Sequence, residues 1–378
     1  MALFPTYNRF PVAIQSAEGA VVTDVNGKKY IDMGSGIGVT NLGHQHPEVK
    51  KAVTEQLDAY WHVSNLYENP IQEIVAKNIT ENSVGDYVFF SNSGAEANEA
   101  AIKLARKATG KEKIVTFGKS FHGRTFATMA ATGQDKVRIG FGPMLEKFAY
   151  ATYNDIDSVK AAVDENTAAV MLELVQGEGG VILAEQQFID DIVALCKEQN
   201  ILLIIDEIQT GMGRTGTKFA YEQFGIEPDI FTLAKGLGNG VPVGAMVAKE
   251  EWGEFFGPGS HGSTFGGNPI AMAAANAVTS IIFEAAFLQE VEEKAAYLAE
   301  LLEENIASIS GVKGIRQKGL MVGIEHEKAV GPFVKTLIEN GVLVLNAGEN
   351  VLRLLPPLTV TKEELKEAVE AIKQTLEG

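Results

Sequence analysis

Cysteine is nearly absent: Cys196 is the only one in 378 residues. A single thiol excludes an intramolecular disulfide framework and any multi-cysteine zinc or iron–sulfur centre. Its place in an apolar helical pattern over residues 187–198 predicts a small core residue. Basic residues are in deficit, with 32 Lys and Arg against 49 Asp and Glu, a formal charge of −17. Such a surface repels phosphate backbones and argues against nucleic-acid binding. The N-terminus lacks a basic stretch followed by an apolar run, so no secretory signal is expected. Long uncharged runs are missing with one exception, residues 255–283, which contain no Asp, Glu, Lys or Arg. The first half of that stretch is crowded with Gly, Pro, Asn and His. Only 270–283 is continuously helix-like, too short to span a bilayer. A soluble, cytoplasmic protein is therefore expected. There is no Gly-x-x-x-x-Gly-Lys-Ser/Thr loop, which removes support for nucleotide hydrolysis. No internal repeat and no low-complexity tract occurs.

What is present is enough apolar material for a large core, 46% of the chain, over a length that suits two or three domains. Residues 21–33 read as a hairpin around Asn26-Gly27, a pair suited to a type I′ turn with positive φ at both positions. Helical patterns follow Pro47 and Pro70. From Asp86 onward strands and helices alternate. Strands are predicted at 86–90, 113–117, 168–174, 201–205, 229–234 and 243–248, and helices at 95–108 and 186–199. Uninterrupted apolar strands between helices predict a parallel sheet covered on both faces. After Phe283 the composition shifts. A Glu-rich helix is predicted over about 285–307, strands near 312–324, a helix at 330–340, strands at 342–345 and 351–354, and a final helix from Lys362.

Four segments carry chemistry-bearing residues at the ends of predicted strands. In Ser91-Asn92-Ser93-Gly94-Ala95-Glu96 a helix begins directly after a strand. Its free N–H groups and positive dipole end suit an anion. The plainer reading is an ordinary capping box of Ser93 with Glu96. In Asp206-Glu207-Ile208-Gln209 a buried strand delivers carboxylates at its C-terminal end, where open α/β sheets bind ligands. In Ala234-Lys235-Gly236-Leu237-Gly238 a lysine ends an apolar strand. A desolvated lysine loses its proton more readily and can attack a carbonyl carbon. The following glycines lead into a strand and not a helix, so a dinucleotide loop fails its context test. Ser120-Phe121-His122-Gly123-Arg124 places an aromatic ring and an arginine three residues apart. His44 and His46 could form a metal pair, but no cysteine lies near them in sequence. They are expected to hold the turn before Pro47, and no metal site is expected.

An anion cradle, a strand-end carboxylate, a flat ring and a strand-end lysine together meet the needs of pyridoxal phosphate. The run Asp206-Glu207-Ile208-Gln209, Gly211-x-Gly213-Arg214-Thr215-Gly216, Pro228-Asp229 and Lys235 resembles the signature of the class III pyridoxal-phosphate-dependent aminotransferases. Gly262-Ser263-Thr264-Phe265-Gly266-Gly267-Asn268-Pro269 resembles that family's downstream motif, and the likeness runs from the N-terminal hairpin to Arg353 and beyond. It implies an α/β fold with a large, mostly parallel sheet of the seven-stranded type flanked by helices. A smaller α+β domain would be built from the C-terminal part and the N-terminal segment. The corresponding division is 1–45, 46–283 and 284–378.

The resemblance also implies roles. Lys235 would bond the cofactor covalently and move protons, and Asp206 would hold the pyridine nitrogen protonated. Phe121 would stack on the ring, with His122, Glu207 and Gln209 also cofactor residues. Ser93, Gly94 and Ala95 would hold the phosphate, joined by Thr264 from the second subunit of a homodimer. Arg124 and Ser263 would meet the substrate, and Glu178 would face Arg353 at the other carboxylate position. Within the family, the motifs and compact length are similar to the branch acting on N2-acetylornithine. Ile37 stands where ornithine-specific members carry a tyrosine. One departure is Glu173-Leu174-Val175-Gln176, where the family has Glu-Pro-x-Gln. The implied reaction moves the δ-amino group of N2-acetylornithine to 2-oxoglutarate in arginine biosynthesis. Alternatives are succinylornithine, ornithine, 4-aminobutyrate or succinyl-diaminopimelate as donor, a glutamate-1-semialdehyde-type aminomutase, or a non-catalytic binding protein.

Overall fold

The computed structural model describes residues 2–378. Its centre is a seven-stranded sheet. The strand order is Tyr87–Ser91, Gly244–Ala248, Ile230–Leu233, Leu202–Asp206, Thr167–Leu172, Lys113–Phe117, Phe148–Ala151. Gly244–Ala248 runs antiparallel to both neighbours, and the other pairings are parallel. The four strands from Gly244–Ala248 to Thr167–Leu172 are buried at every residue. That is why they read as apolar runs rather than alternating ones. Phe148–Ala151 was not legible in the sequence. As an edge strand it is half exposed and lacks a branched apolar run.

The flanking helices begin and end on local chemistry. Ser93 caps Gly94–Thr109, its Oγ accepting from Glu96 N at 3.2 Å, and Gly110 closes it in the left-handed region at φ 66°. Glu96 does not complete the expected capping box. Its Oε2 accepts instead from Asn92 N and Nδ2, at 2.7 and 2.8 Å, one residue further back. Gln186–Gln199 carries the buried Cys196 and stops at Asn200, φ 52°. Pro269–Ile282 is buried along most of its length and packs on Pro47–Ala59 and Pro70–Thr80. Among the described residues no single helix is long and apolar enough to cross a membrane. The pair Pro269–Ile282 and Ala285–Asn305 is bent by 72°.

The C-terminal part builds a second sheet, in the order Val312–Lys318, Met321–His326, Val351–Leu354, Leu345–Ala347. Helices Ala285–Asn305, Gly331–Glu339 and Lys362–Glu377 accompany it, the last opened by a capping box of Thr361 and Glu364. The N-terminal strands Ile14–Glu18, Val21–Asp24 and Lys29–Asp32 form a third sheet, completed by Val342–Leu343, which pairs in parallel with Lys29–Asp32. The hairpin at Asn26-Gly27 exists, but not as a two-residue type I′ turn. Of that pair only Gly27 has positive φ, 83°. The four-residue link is wound around the Asp24 carboxylate, which accepts from Asn26 N at 2.8 Å and Lys28 N at 3.0 Å. Asp32 likewise holds His44, whose Nε2 lies 2.9 Å from Oδ2, so this imidazole does fasten the turn before Pro47.

Candidate active site

Ser91, Phe117, Leu172, Asp206 and Leu233 are each the last residue of a central strand. In a parallel arrangement these ends lie along one edge of the sheet, and the loops that follow them meet there. They enclose a cavity of about 460 Å³. Its wall includes Ser93, Gly94, Ala95, Phe121, His122, Arg124, Glu178, Asp206, Gln209 and Lys235, all expected there from the sequence. It also includes Val39, Glu173, Ile208 and Val241, which sequence reasoning missed.

Asp206 is the most tightly held group. Its Oδ2 accepts from Asn98 Nδ2 at 2.8 Å and lies 2.8 Å from His122 Nδ1, while Oδ1 accepts from Ile208 N at 3.0 Å. Asn98 is fixed in turn. It donates to the His122 carbonyl at 2.9 Å and accepts from Thr232 Oγ1 at 2.7 Å. The signal for Asn98 was its place one turn beyond Gly94 on the same helix face. Glu173 follows Leu172 off its strand and accepts from Phe121 N at 2.9 Å. Burial raises its carboxyl to about 8, against the opposing pull of His122. Burial lowers His122, but its bond to Asp206 and the charges of Asp206 and Glu173 together outweigh that and leave the imidazole above its ordinary value. His122, Glu173 and Asp206 are mutually within 4.8 Å, with His122 Nε2 and Glu173 Oε2 lacking hydrogen-bond partners.

Lys235 sits at φ +44°, a conformation a non-glycine residue holds at a cost of about 1–3 kcal/mol. Burial lowers its amine to about 8. Glu178 opposes that change and Arg353 adds to it. Glu178 Oε1 accepts from Arg353 Nη1 at 2.7 Å, and the same nitrogen reaches Gln209 Oε1 at 3.3 Å. Arg353 is 2% exposed, on a strand of the C-terminal sheet. Burial pushes Glu178 up, but the Arg353 charge and hydrogen bond outweigh it and hold the carboxyl below its ordinary value. Arg124 is exposed on the rim, its guanidinium 5.6 Å from the centre of the Phe121 ring. A side chain at Gly94 would require Ile208 to shift, since a Cβ there would lie 2.7 Å from Ile208 Cδ1.

Of the other expected site residues, Arg353 stands beyond the wall against Glu178, Thr264 was expected to act from a second subunit, and Glu207, Ile37 and Ser263 lie elsewhere. Glu207 follows Asp206 and so faces the opposite side of the strand. There its carboxylate accepts from Tyr221 N at 2.9 Å and from Thr210 Oγ1. Ile37 is 43% exposed and turned out of the wall, because Gly36 and Ile37 are both left-handed, at φ 64° and 70°. Val39 takes that place. Ser263 and Thr264 line a separate surface hollow with His62 and Asn65. Ser263 Oγ accepts from Asn92 Nδ2 at 3.0 Å.

The chain belongs to the class-III aminotransferases, the family model matching residues 4–376. This is a pyridoxal-phosphate-dependent class. Among curated relatives, the acetylornithine aminotransferase of Bacillus subtilis is 58% identical over 376 residues, covering 99% of this chain and 97% of that one. Among solved structures, the N-acetylornithine aminotransferase of Stenotrophomonas maltophilia superposes with a TM-score of 0.86 at 34% identity, covering 98% and 96% of the two chains. An ornithine aminotransferase from Toxoplasma gondii, with partial occupancy of pyridoxal phosphate at its active site, has a TM-score of 0.94 at 31% identity, covering 99% and 92%. The residues of this cavity fit that cofactor. The start of helix Gly94–Thr109 offers unpaired N–H groups for a phosphate, Asp206 a buried carboxylate, Phe121 a ring, and Lys235 an amine with lowered proton affinity.

Proposed function

We propose that the protein is a transaminase that moves the δ-amino group of N2-acetylornithine to 2-oxoglutarate. The products are N-acetylglutamate 5-semialdehyde and glutamate, and the reaction serves arginine biosynthesis in the cytoplasm. The observation that carries this reading is one cavity whose wall holds a strand-end lysine, a buried carboxylate and a glutamate that pairs with a buried arginine beyond the wall. The 58% identity to an acetylornithine aminotransferase supports the choice of donor.

Pyridoxal phosphate, when bound, supplies the electron sink for the carbon that carries the reacting nitrogen. Asp206 would hold the proton on the ring nitrogen, and its bonds from Asn98 and His122 keep it aimed. Ser93, Gly94 and Ala95 hold the phosphate. Lys235 Nζ would hold the cofactor at rest and, once free of it, would take a proton from the δ-carbon and hand it on to the cofactor. Its lowered proton affinity leaves part of the amine neutral near pH 7. Arg124 takes the α-carboxylate of acetylornithine at the rim. The glutamate half of the reaction brings a second carboxylate, and Arg353 receives its α-carboxylate once Glu178 moves aside. With acetylornithine bound, Glu178 covers Arg353. A buried guanidinium stripped of its partner would cost about 3–5 kcal/mol.

The active form proposed is a homodimer with Thr264 reaching the partner's cofactor phosphate. Exposed Trp61, Tyr67, Phe126 and Phe265, at 59–71% exposure, supply apolar surface for such contact. The small domain is proposed to join residues 1–45 with 284–378, around the large domain 46–283.

Two measurements test the reading. Borohydride reduction of the cofactor-loaded protein is expected to label Lys235 alone, and Lys235→Ala to lose turnover. With 2-oxoglutarate as acceptor, kcat/KM for N2-acetylornithine is expected to exceed that for ornithine by about tenfold or more. A label on another lysine overturns the site, and equal donors overturn the specificity.

A further inference from the structure

Glu178 lies on two cavities. Its inner side faces the site with Arg353, and its outer side faces a hollow of about 680 Å³ that also holds Lys119, Lys136 and Arg316. Its side chain is 33% exposed, so the outer hollow is open to it. The backbone on either side is closely approached. A Cβ at Gly177 would run into Gln209 Oε1, and one at Gly179 would lie 2.8 Å from the Lys119 carbonyl oxygen. With Glu178 lining both spaces, an exchange of partners needs only a side-chain rotation, from the inner cavity to the outer hollow.

A carboxylate turned outward needs a receiving charge, and the hollow is lined by three cations together with the carboxylates of Asp135, Glu325 and Glu349. Arg316 is already committed: Nη1 to Glu325 at 2.5 Å, Nη2 to the Gly180 carbonyl at 2.9 Å, and Nε to the Val181 carbonyl at 3.1 Å. Lys119, whose backbone carbonyl and Cβ pack on Gly179, makes no ion pair among the described residues and is a second uncommitted cation of the hollow. Lys136, on the turn Asp135–Val137, makes no ion pair among the described residues. Its acidic neighbour Asp135 is taken by Arg138. The Lys136 charge already contributes, behind Arg353 and Lys235, to the lowered proton affinity of Glu178.

We infer that Lys136 is a positioning residue that receives Glu178 when a substrate carboxylate displaces it from Arg353. This rests on the exchange proposed above and adds its second end point. Lys136 touches neither substrate nor cofactor. It lowers the cost of opening the Arg353 position and so favours dicarboxylates over monocarboxylates.

The test is calorimetric binding of glutarate and valerate to the cofactor-loaded protein, read as the ratio of their affinities. An exposed ion pair is worth enough to change that ratio by about threefold to fivefold. Lys136→Gln is expected to lower the glutarate preference by that factor, and Lys136→Arg to retain it. Glu178→Ala is expected to raise glutarate affinity, and in that background Lys136→Gln is expected to change nothing. An unchanged ratio in Lys136→Gln overturns the inference. So does a loss that persists in the Glu178→Ala background, which would mark Lys136 as a general attractor of anions. If Glu178→Ala fails to tighten glutarate, the exchange at Arg353 falls first and the inference with it. Glu178→Gln serves the same purpose should the alanine variant not fold.

Discussion

Glu207 illustrates how much one residue step decides. It is adjacent to Asp206 in sequence, yet the strand pleat sends the two carboxylates to opposite faces. Asp206 meets the cavity, and Glu207 is buried against Tyr221 N and Thr210. Burial raises Glu207 to about 7 from an ordinary 4.5. A carboxyl raised by folding binds more protons folded than unfolded between those values, so stability falls as pH rises from about 4.5 to 7. The full cost of the buried charge, on the order of a few kcal/mol, is present above pH 7. Glu207→Gln keeps an acceptor for Tyr221 N and removes the titration. Relative to the parent, its Tm is expected to gain ground between pH 5 and pH 8, with the bound cofactor's absorbance unchanged. A constant Tm difference across that range would show that Glu207 is not the group titrating.

At the scale of the element, the helix Gly94–Thr109 does two jobs at its first turn. Ser93 satisfies Glu96 N, and in the proposed site the same turn holds a phosphate. Substitution separates the two. Ser93→Ala removes the cap and is expected to cost about 1 kcal/mol of stability. Ser93→Asp caps equally well and interacts favourably with the helix dipole, so the cofactor-free protein should keep its Tm. Its charge would repel a phosphate, and the dissociation constant for pyridoxal phosphate is expected to rise by about tenfold or more, from about 1.4 kcal/mol of repulsion. Fluorescence titration of the cofactor-free variants gives the comparison. Equal affinities for parent and Ser93→Asp would move the phosphate away from this turn.

For the molecule as a whole, Arg214 ties distant segments together. It belongs to the motif that resembled the family signature, yet it does not line the cavity. Fully buried, its guanidinium donates to the Leu320 carbonyl at 3.1 Å, the Pro356 carbonyl at 2.5 Å and Asn41 Oδ1 at 2.8 Å. Those acceptors come from the C-terminal part and the N-terminal segment, and the arginine from the loop after Asp206. Burial lowers the group to about 9, which leaves it charged at neutral pH. No carboxylate faces it, so its charge is met by carbonyl and amide oxygens alone. Arg214→Ala leaves three buried acceptors without a donor, a loss of about 3 kcal/mol or more. The urea midpoint is expected to fall accordingly. Arg214→Lys should recover only part, because an ammonium cannot reach three acceptors spread around a planar fork. An unchanged midpoint in Arg214→Ala would remove Arg214 from this role.

Sequence alone determined the features that are local in the chain. Asp206 at the end of an apolar strand, Lys235 at the end of another, and Ser93-Gly94-Ala95 at a strand-to-helix junction were legible because each needs only its immediate neighbours. The apolar central strands were legible for the same reason, since burial on both faces leaves no alternation to misread. Tertiary structure alone decided the rest. Asn98 and Glu173 join His122 around Asp206 from three different segments, and the meeting of Arg353 with Glu178 across 175 residues of chain was expected only through the family resemblance, never from local pattern. The outward turn of Ile37 follows from two consecutive left-handed residues, and the reversed direction of Gly244–Ala248 from the path of its loop. Pattern and spacing report which residues share an element. Charge pairing, burial and the facing of side chains depend on which elements are packed against one another, and that is fixed only when the chain has closed.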